Sequence, residues 1–249
     1  MKYSKYERRF YRDWVKARGL YQSRILARET DLQVLTNKKL DKELVQERIR
    51  AYSWDIENYI TRDSRFLSSL KPIAVELTAP RIVQEMSTQA RAADVGPMAS
   101  VAGAVAEFLG RDLLKAGYRE VIIENGGDIF MKISRAREVG IYSGTSSLLR
   151  NLKLKIRPAD TPLGICTSSG TIGHSLSFGC ADSVVILAKS ATLADAVATG
   201  CCNRVREKGD LEKALAFCRS IKGVEGAVII LKNDLLSWGK IKFTHGPQA

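Results

Sequence analysis

Glu120-Val121-Ile122-Ile123-Glu124, then Asn125-Gly126-Gly127-Asp128, then Ile129-Phe130-Met131-Lys132-Ile133 is the stretch on which the fold turns. Two short apolar runs read as strands, and the residues between them are too few for the crossover of about a dozen that parallel neighbours need. The two strands must be antiparallel. Working outward, Val139 to Tyr142, Leu152 to Ile156, Val184 to Leu187, Val224 to Ile230, Leu235 to Trp238 and Ile241 to Thr244 read the same way. The last two are expected to turn on each other at Gly239-Lys240. Upstream, Arg24 to Thr36 carries Ile25, Ala27, Leu32, Val34 and Leu35 around Glu29-Thr30-Asp31, which is a strand or a hairpin.

Helical spacing separates these runs. Asp41 to Arg62 repeats Leu44, Val45, Ile49, Tyr52, Ile56, Tyr59 and Ile60 at i, i+3 and i+4 among charges, an amphipathic helix. Arg81 to Arg91, Leu193 to Arg204 and Asp210 to Arg219 are further helices, and Pro72 and Pro80 bracket a segment of no clear type. Met98 to Ala116 presents Ala99, Ala102, Gly103, Ala104, Val105 and Ala106, small residues that let another element approach closely, and reads as a buried helix laid on a sheet. The mixture predicts an α+β fold with a largely antiparallel sheet and packed helices. No linker or repeat divides it, so residues 1–22 read as an arm and 23–249 as one domain.

Composition excludes several classes. The chain has 249 residues, 45% of them hydrophobic and 27% charged, which allows a full core without staples. No window approaches the roughly 18 to 20 apolar residues of a spanning helix, so neither membrane insertion nor export is expected and the chain reads as cytoplasmic. Cys166, Cys180, Cys201, Cys202 and Cys218 contain no C-x-x-C pair, and reduced, mostly buried thiols follow.

The net charge of +12 is uneven, since residues 1–28 hold nine basic residues against two acids. Tyr3, Tyr6, Phe10, Tyr11, Trp14 and Tyr21 interleave with them, as in proteins that grip single-stranded nucleic acid. No nucleic-acid motif accompanies the stripe, so a solvated arm that packs its rings on its own or a neighbouring subunit is expected, with nucleic-acid association as an alternative. Positive potential would also steer an anionic small molecule.

Three patches could carry chemistry. Glu124-Asn125-Gly126-Gly127-Asp128 could admit a ligand close to its glycine backbone, or be a hairpin turn closed by Asp128. Cys166-Thr167-Ser168-Ser169-Gly170-Thr171-Ile172-Gly173-His174 offers hydroxyls and backbone amides as an anion cradle, with His174 as a general base or a loop histidine bonded to a carbonyl. Ser190 or Thr192 caps a helix on which Asp195 and Thr199 are i and i+4, so both point from one face. That pair could ligate Mg²⁺ or be a structural hydrogen bond.

Together, the order Gly126-Gly127-Asp128-Ile129, Thr167-Ser168-Ser169-Gly170, His174 and Ala194-Asp195-x-x-x-Thr199 resembles the ApbE superfamily of FAD:protein FMN transferases. Asp94-Val95-Gly96-Pro97-Met98-Ala99-Ser100-Val101-Ala102-Gly103 is similar to that family's Asp-Leu-Gly-x-x-Ala-Lys-Gly segment. Gly96-Pro97-Met98-Ala99, Glu124 to Phe130 and Cys166 to Gly179 resemble its cytoplasmic ApbE-like branch in bacteria and archaea, over nearly the whole chain.

The resemblance implies a T-fold-like core, Mg²⁺ and FAD or a related nucleotide, and an FMN-transferring or pyrophosphate-cleaving activity. It makes Asp195 and Thr199 metal ligands, with a backbone carbonyl near Gly96-Pro97. Gly96, Asn125, Gly126, Gly127, Thr167, Ser168, Ser169, Gly170 and Thr171 become cofactor-binding residues. His174 accepts a proton from a protein threonine or water, and Asp128 organises the site or assists His174. A small-molecule nucleotide, an acceptor protein and a homodimer are the implied partners.

The sequence departs from the pattern in three places. Ser100 stands where the family has lysine, the segment after His174 is short, and residues 1–80 show no counterpart of the family's N-terminal third. A ligand-binding protein without turnover is therefore the alternative.

Overall fold

The computed structural model describes residues 19–27, 30–142, 149, 152–171 and 178–245. Strands β1 (Tyr21–Ala27) and β2 (Thr30–Thr36) form the hairpin expected from Arg24 to Thr36. After them come α1 (Lys42–Arg62), α2 (Arg65–Ser68), α3 (Arg81–Ala92) and α4 (Val101–Lys115). Then follow β3 (Val121–Asn125), β4 (Asp128–Lys132), β5 (Arg137–Gly140), β6 (Leu152–Ile156), β7 (Leu163–Ser168) and β8 (Ser183–Ala188). Helices α5 (Ala191–Cys202) and α6 (Leu211–Ser220) precede β9 (Val224–Leu231), β10 (Asp234–Gly239) and β11 (Phe243–His245).

Among the described residues, eight strands make one sheet in the order β1-β2-β3-β4-β7-β8-β9-β10, and β11-β6-β5 make a second. Every pair is antiparallel. The fold is thus α+β with an antiparallel sheet, as the short β3–β4 connection requires.

Successive side chains of a strand face opposite ways, and here both faces of the large sheet are covered. Val34, Ile123, Phe130, Val184, Ile186 and Ile229 pack under the helices. Leu35, Ile122, Met131, Val185, Leu187 and Ile230 pack against Val139, Leu154 and Ile156 of the small sheet. This two-sided burial explains why Val184-Val185-Ile186-Leu187 is an unbroken apolar run and does not alternate.

Helix α1 starts where its sequence says, with the Asp41 carboxylate accepting the Leu44 N–H, and it buries Val45, Ile49, Tyr52, Ile56 and Tyr59. The segment before Pro72 contains a feature that periodicity did not reveal. The short helix α2 buries Phe66 edge-on against Tyr59, with ring centroids 5.1 Å apart. One helical turn is too short to show a period.

The expected hairpin at Gly239-Lys240 is corrected. β10 pairs with β9, whereas β11 pairs with β6 in the other sheet. Gly239, at φ +88°, lets the chain leave one sheet for the other. Ile241 and Phe243 then pack in the apolar layer between the sheets, a burial that a hairpin on the outer edge would forgo.

Candidate functional site

The β3–β4 turn is a tight hairpin. Asn125 pairs with Asp128, and Gly126 and Gly127 between them take φ values of +66° and +108°. Left-handed backbone at both turn residues suits the twist of the flanking strands and favours glycine. The turn reading therefore holds, and its side chains still reach other elements. The Gly127 N–H donates to Glu124 Oε1 at 2.8 Å, and Asn125 Nδ2 donates to the Ala102 carbonyl at 3.1 Å. Asn125 thus ties the turn to the first turn of α4.

Asp128 begins β4 with its side chain under the helices. Its Oδ1 accepts the Thr167 N–H from neighbouring β7 at 3.3 Å, so it closes no hydrogen bond within its own turn. Helix α5 crosses above. Ser190 Oγ caps it through the Leu193 N–H, and Asp195 and Thr199 do share a face. Asp195 Oδ2 accepts the Gly103 N–H at 2.8 Å, and Thr199 Oγ1 lies 3.1 Å from Ser168 Oγ. The helices come this close because Gly103 has no Cβ, an atom that would sit 2.3 Å from the Ala191 carbonyl oxygen.

Asp128, Asp195, Ser168 and Thr199 are all buried. Among the described residues, no lysine or arginine forms a salt bridge with either carboxylate. Burial pushes Asp128 up to about 7; the Thr167 amide and the Cys166 thiol oppose the rise, and the charge of Glu124 adds to it. Asp195 is raised too, first by burial and then by the charge of Asp128, against the pull of the Gly103 and Ala102 amides. Cys166, beneath them on β7, has its thiol raised by burial and by both carboxylates. Its Sγ lies 3.3 Å from the Ala191 carbonyl oxygen.

The second patch differs from a loop of free donors. Thr167 and Ser168 belong to β7, and their side chains alternate in direction. The Gly170 N–H donates to the Ala181 carbonyl at 2.8 Å, and the Thr171 N–H to Ser169 Oγ at 3.1 Å. Thr171 Oγ1 is 3.3 Å from Asp182 Oδ1, so these amides and this hydroxyl all meet protein partners. Gly170 is needed for closeness, since a Cβ there would lie 2.0 Å from the Gly179 carbonyl oxygen. Ile172, Gly173 and His174 lie outside the described residues, as do Tyr3, Tyr6, Phe10, Tyr11 and Trp14 of the arm.

Gly96 precedes the 3-10 turn Pro97–Ser100, and a Cβ on it would lie 1.8 Å from the Ser69 carbonyl oxygen. The missing Cβ lets the chain pass close to the end of α2. Ser100, at the family's lysine position, is fully buried, and its hydroxyl donates to the Pro97 carbonyl at 2.8 Å. No cation projects from that position.

The structure therefore brings together Asp128, Ser168, Asp195 and Thr199, with Asn125 and Thr167 at their margin. Residues that sequence reasoning passed over are Gly103, which receives Asp195, Cys166, which lies under both carboxylates, and Glu107 on α4. Glu107 carried a signal, as the one charged residue of the run Val101 to Gly110.

A family model described as "AbpE bacteria" matches residues 12–241. The chain belongs to this ApbE-like family. A UPF0280 protein of Methanocaldococcus jannaschii is 38% identical over 226 residues, covering 89% of this chain and 91% of the relative. Another from Methanosarcina acetivorans is 36% identical, over 86% of this chain and 85% of the relative.

Among solved structures, apo Pseudomonas stutzeri flavinyl transferase ApbE superimposes with a TM-score of 0.61 at 14% identity, covering 91% of this chain and 95% of that one. The flavin transferase ApbE of Vibrio cholerae gives 0.58 at 15% identity, over 88% and 97%. These likenesses establish a shared ApbE fold. They also correct one expectation. Residues 81–249 are only about two thirds of this ApbE-like chain, so matches of this extent must include much of residues 1–80. The described elements of that portion are β1, β2, α1 and α2, and no motif announces them.

Among the described residues, no three of His, Cys, Asp and Glu cluster as a metal cage. A cation here would take one carboxylate, hydroxyl or carbonyl oxygens, and water, which is the donor set that suits Mg²⁺. Two buried carboxylates with no cationic partner among the described residues fit that ion. No single helix among the described residues is long and apolar enough to cross a membrane.

Proposed function

We propose that this ApbE-like chain binds Mg²⁺ and FAD, or a related nucleotide with a pyrophosphate, and cleaves that pyrophosphate, passing FMN to an acceptor protein or to water. The observation that carries the reading is the buried pair Asp128 and Asp195, both held up in pKa and the second partly by the charge of the first, with Asp195 on the Gly103 amide of α4 and Thr199, one turn along α5, beside Ser168. Burying anionic groups together is unfavourable unless a cation or proton joins them, and such arrangements mark functional sites.

In this reading Asp195 and Thr199 hold the cation. Gly103 fixes the Asp195 carboxylate and Ser168 orients the Thr199 hydroxyl. When bound, Mg²⁺ supplies charge neutralisation at the pyrophosphate. Asp128, held near neutrality, can keep or release a proton beside the Thr167 amide, and its negative form adds to the field drawing in a cation. His174 is proposed from the family resemblance as the acceptor of the attacking hydroxyl's proton. The similarity to proteins named flavin transferases supports the nucleotide part of this reading.

The test is incubation of the purified protein with FAD, with and without Mg²⁺, while AMP and FMN are followed by chromatography and Asp195→Ala serves as control. Mg²⁺-dependent AMP release that the variant loses supports pyrophosphate chemistry here. If the variant releases AMP as the parent does, the metal assignment is wrong.

A second reading is a binding protein without turnover, and Ser100 favours it. Its hydroxyl is buried on Pro97, so the cation that would face phosphate in the family pattern has no substitute at that position. FAD binding with no AMP release at any Mg²⁺ concentration would select it.

A further inference from the structure

Helices α4 and α5 are tied at two levels, and the second level lies one turn from the site. Gly103 and Glu107 are four apart on α4 and so share a face. Glu107 is 1% exposed and reaches the start of α5. Its Oε2 accepts from Ser190 Oγ at 2.6 Å, the Thr192 N–H at 3.0 Å and Thr192 Oγ1 at 3.0 Å. Its Oε1 faces Arg111 one turn further along α4. Ser190 is the cap of α5 and Thr192 is three residues before Asp195.

The two ties run antiparallel, Gly103 to Asp195 and Glu107 to Ser190 and Thr192. Together they fix the rotation of α5 about its own axis. A carboxylate at a helix start engages amides that otherwise lack partners and interacts well with the helix dipole. One group therefore both caps α5 and sets its angle to α4. Helix α5 carries Asp195 and Thr199, so that angle decides where their oxygens point.

We propose that Glu107 is a positioning residue of the cation site, holding α5 in the one register in which Asp195 meets the Gly103 amide and Thr199 meets Ser168. The inference rests on the cation reading of Asp195 given above. Groups behind metal ligands commonly change affinity by about 10- to 100-fold when removed. Glu107 is such a group at the level of a whole helix.

The experiment compares the full-length protein with Glu107→Ala, Glu107→Gln and Leu154→Ala, the last a core change in the small sheet, remote from the helices. Two quantities are read well below each melting temperature. One is hydrogen exchange at the Gly103 amide relative to Leu109, deeper in the same helix, without cation. The other is Mn²⁺ affinity by electron paramagnetic resonance. Glu107→Ala should speed exchange at Gly103 by about tenfold with Leu109 little changed, and should weaken Mn²⁺ by about 10- to 100-fold.

Glu107→Gln keeps an acceptor for the Thr192 amide and should fall between, and it carries the test if Glu107→Ala does not fold. Leu154→Ala should lose stability yet keep both quantities. Unchanged exchange at Gly103 in both Glu107 variants would overturn the inference, as would parental Mn²⁺ affinity in them. If the parent protein binds no Mn²⁺, the cation reading fails, and the exchange measurement still decides whether Glu107 positions Asp195.

Discussion

Asp195 Oδ2 accepts the Gly103 amide hydrogen across 2.8 Å, so the carboxylate read as a metal ligand also holds the start of the opposing helix. Helix α4 begins at Val101, directly after the turn Pro97–Ser100, and the Val101 amide already donates to the Met98 carbonyl. Asp195 takes the amide two residues further on and is oriented in return. The contact requires a residue without Cβ at position 103.

Gly103→Ala follows from that geometry. On an open helix face the change would stabilise by about 1 kcal/mol. Here the new Cβ would lie 2.3 Å from the Ala191 carbonyl oxygen and 2.8 Å from Asp195 Cβ. The expected outcome is a loss of about 1–3 kcal/mol in urea unfolding, together with weaker cation binding.

The buried carboxylates make the cation-free protein sensitive to base. Asp128 has its pKa raised from 3.8 to about 7 by burial, so between those values the folded state holds more protons than the unfolded state. Stability is then full below the unfolded value and declines as pH rises through the window. The melting temperature in a chelator should fall by about 4–8 °C from pH 5 to pH 8, and added Mg²⁺ should restore it at pH 8 more than at pH 5. Calorimetry at four pH values, with and without Mg²⁺, measures this.

Asp195→Asn separates stability from function. Removing a charge that burial and Asp128 both oppose should raise the cation-free protein's stability at pH 8 by about 1 kcal/mol or more. The same variant should no longer gain stability from Mg²⁺. A thermal scan with and without the ion reports both effects, and a variant that still responds to Mg²⁺ would remove Asp195 from the ligand set.

Gly126 tests the turn without touching its neighbours. A Cβ there would meet nothing within 4 Å, but φ is +66°. Gly126→Ala should therefore cost about 1–2 kcal/mol through backbone strain alone, and Gly126→Asn distinctly less. Urea unfolding of the two variants side by side checks the difference.

At the far end of β3, Glu120 pairs with buried Arg137 at 3.3 Å and accepts a hydrogen bond from Ser134. These partners outweigh burial and hold its carboxyl below the usual value. Its contribution is present above the ordinary carboxylate pKa and is lost as pH falls through the folded value. Glu120→Gln should destabilise by about 1–3 kcal/mol at pH 7, where it removes the charge that faces Arg137, and by much less at pH 3. Acid-limb melting curves compare the two.

The sequence by itself determined the elements and their class. A four-residue connection between apolar runs compels antiparallel pairing, and the stripe from Val45 to Tyr59 compels α1, because both depend on residues close together in the chain. The i, i+4 spacing likewise placed Asp195 and Thr199 on one face before any contact was visible. Motif order was enough for the family, since four weak signals in a set sequence are jointly specific.

Only the tertiary structure decided what those residues meet. Asp195 and Gly103 are 92 positions apart, and Glu107 lies 83 from Ser190, so no local period reports either contact. The partner of β11 was equally invisible, because Ile241 and Phe243 would be apolar in a hairpin or between sheets. The raised pKa values of Asp128 and Asp195 arise from burial beneath α4 and α5. A carboxylate's desolvation depends on the atoms that surround it in space, and these come from segments that only the folded chain brings together.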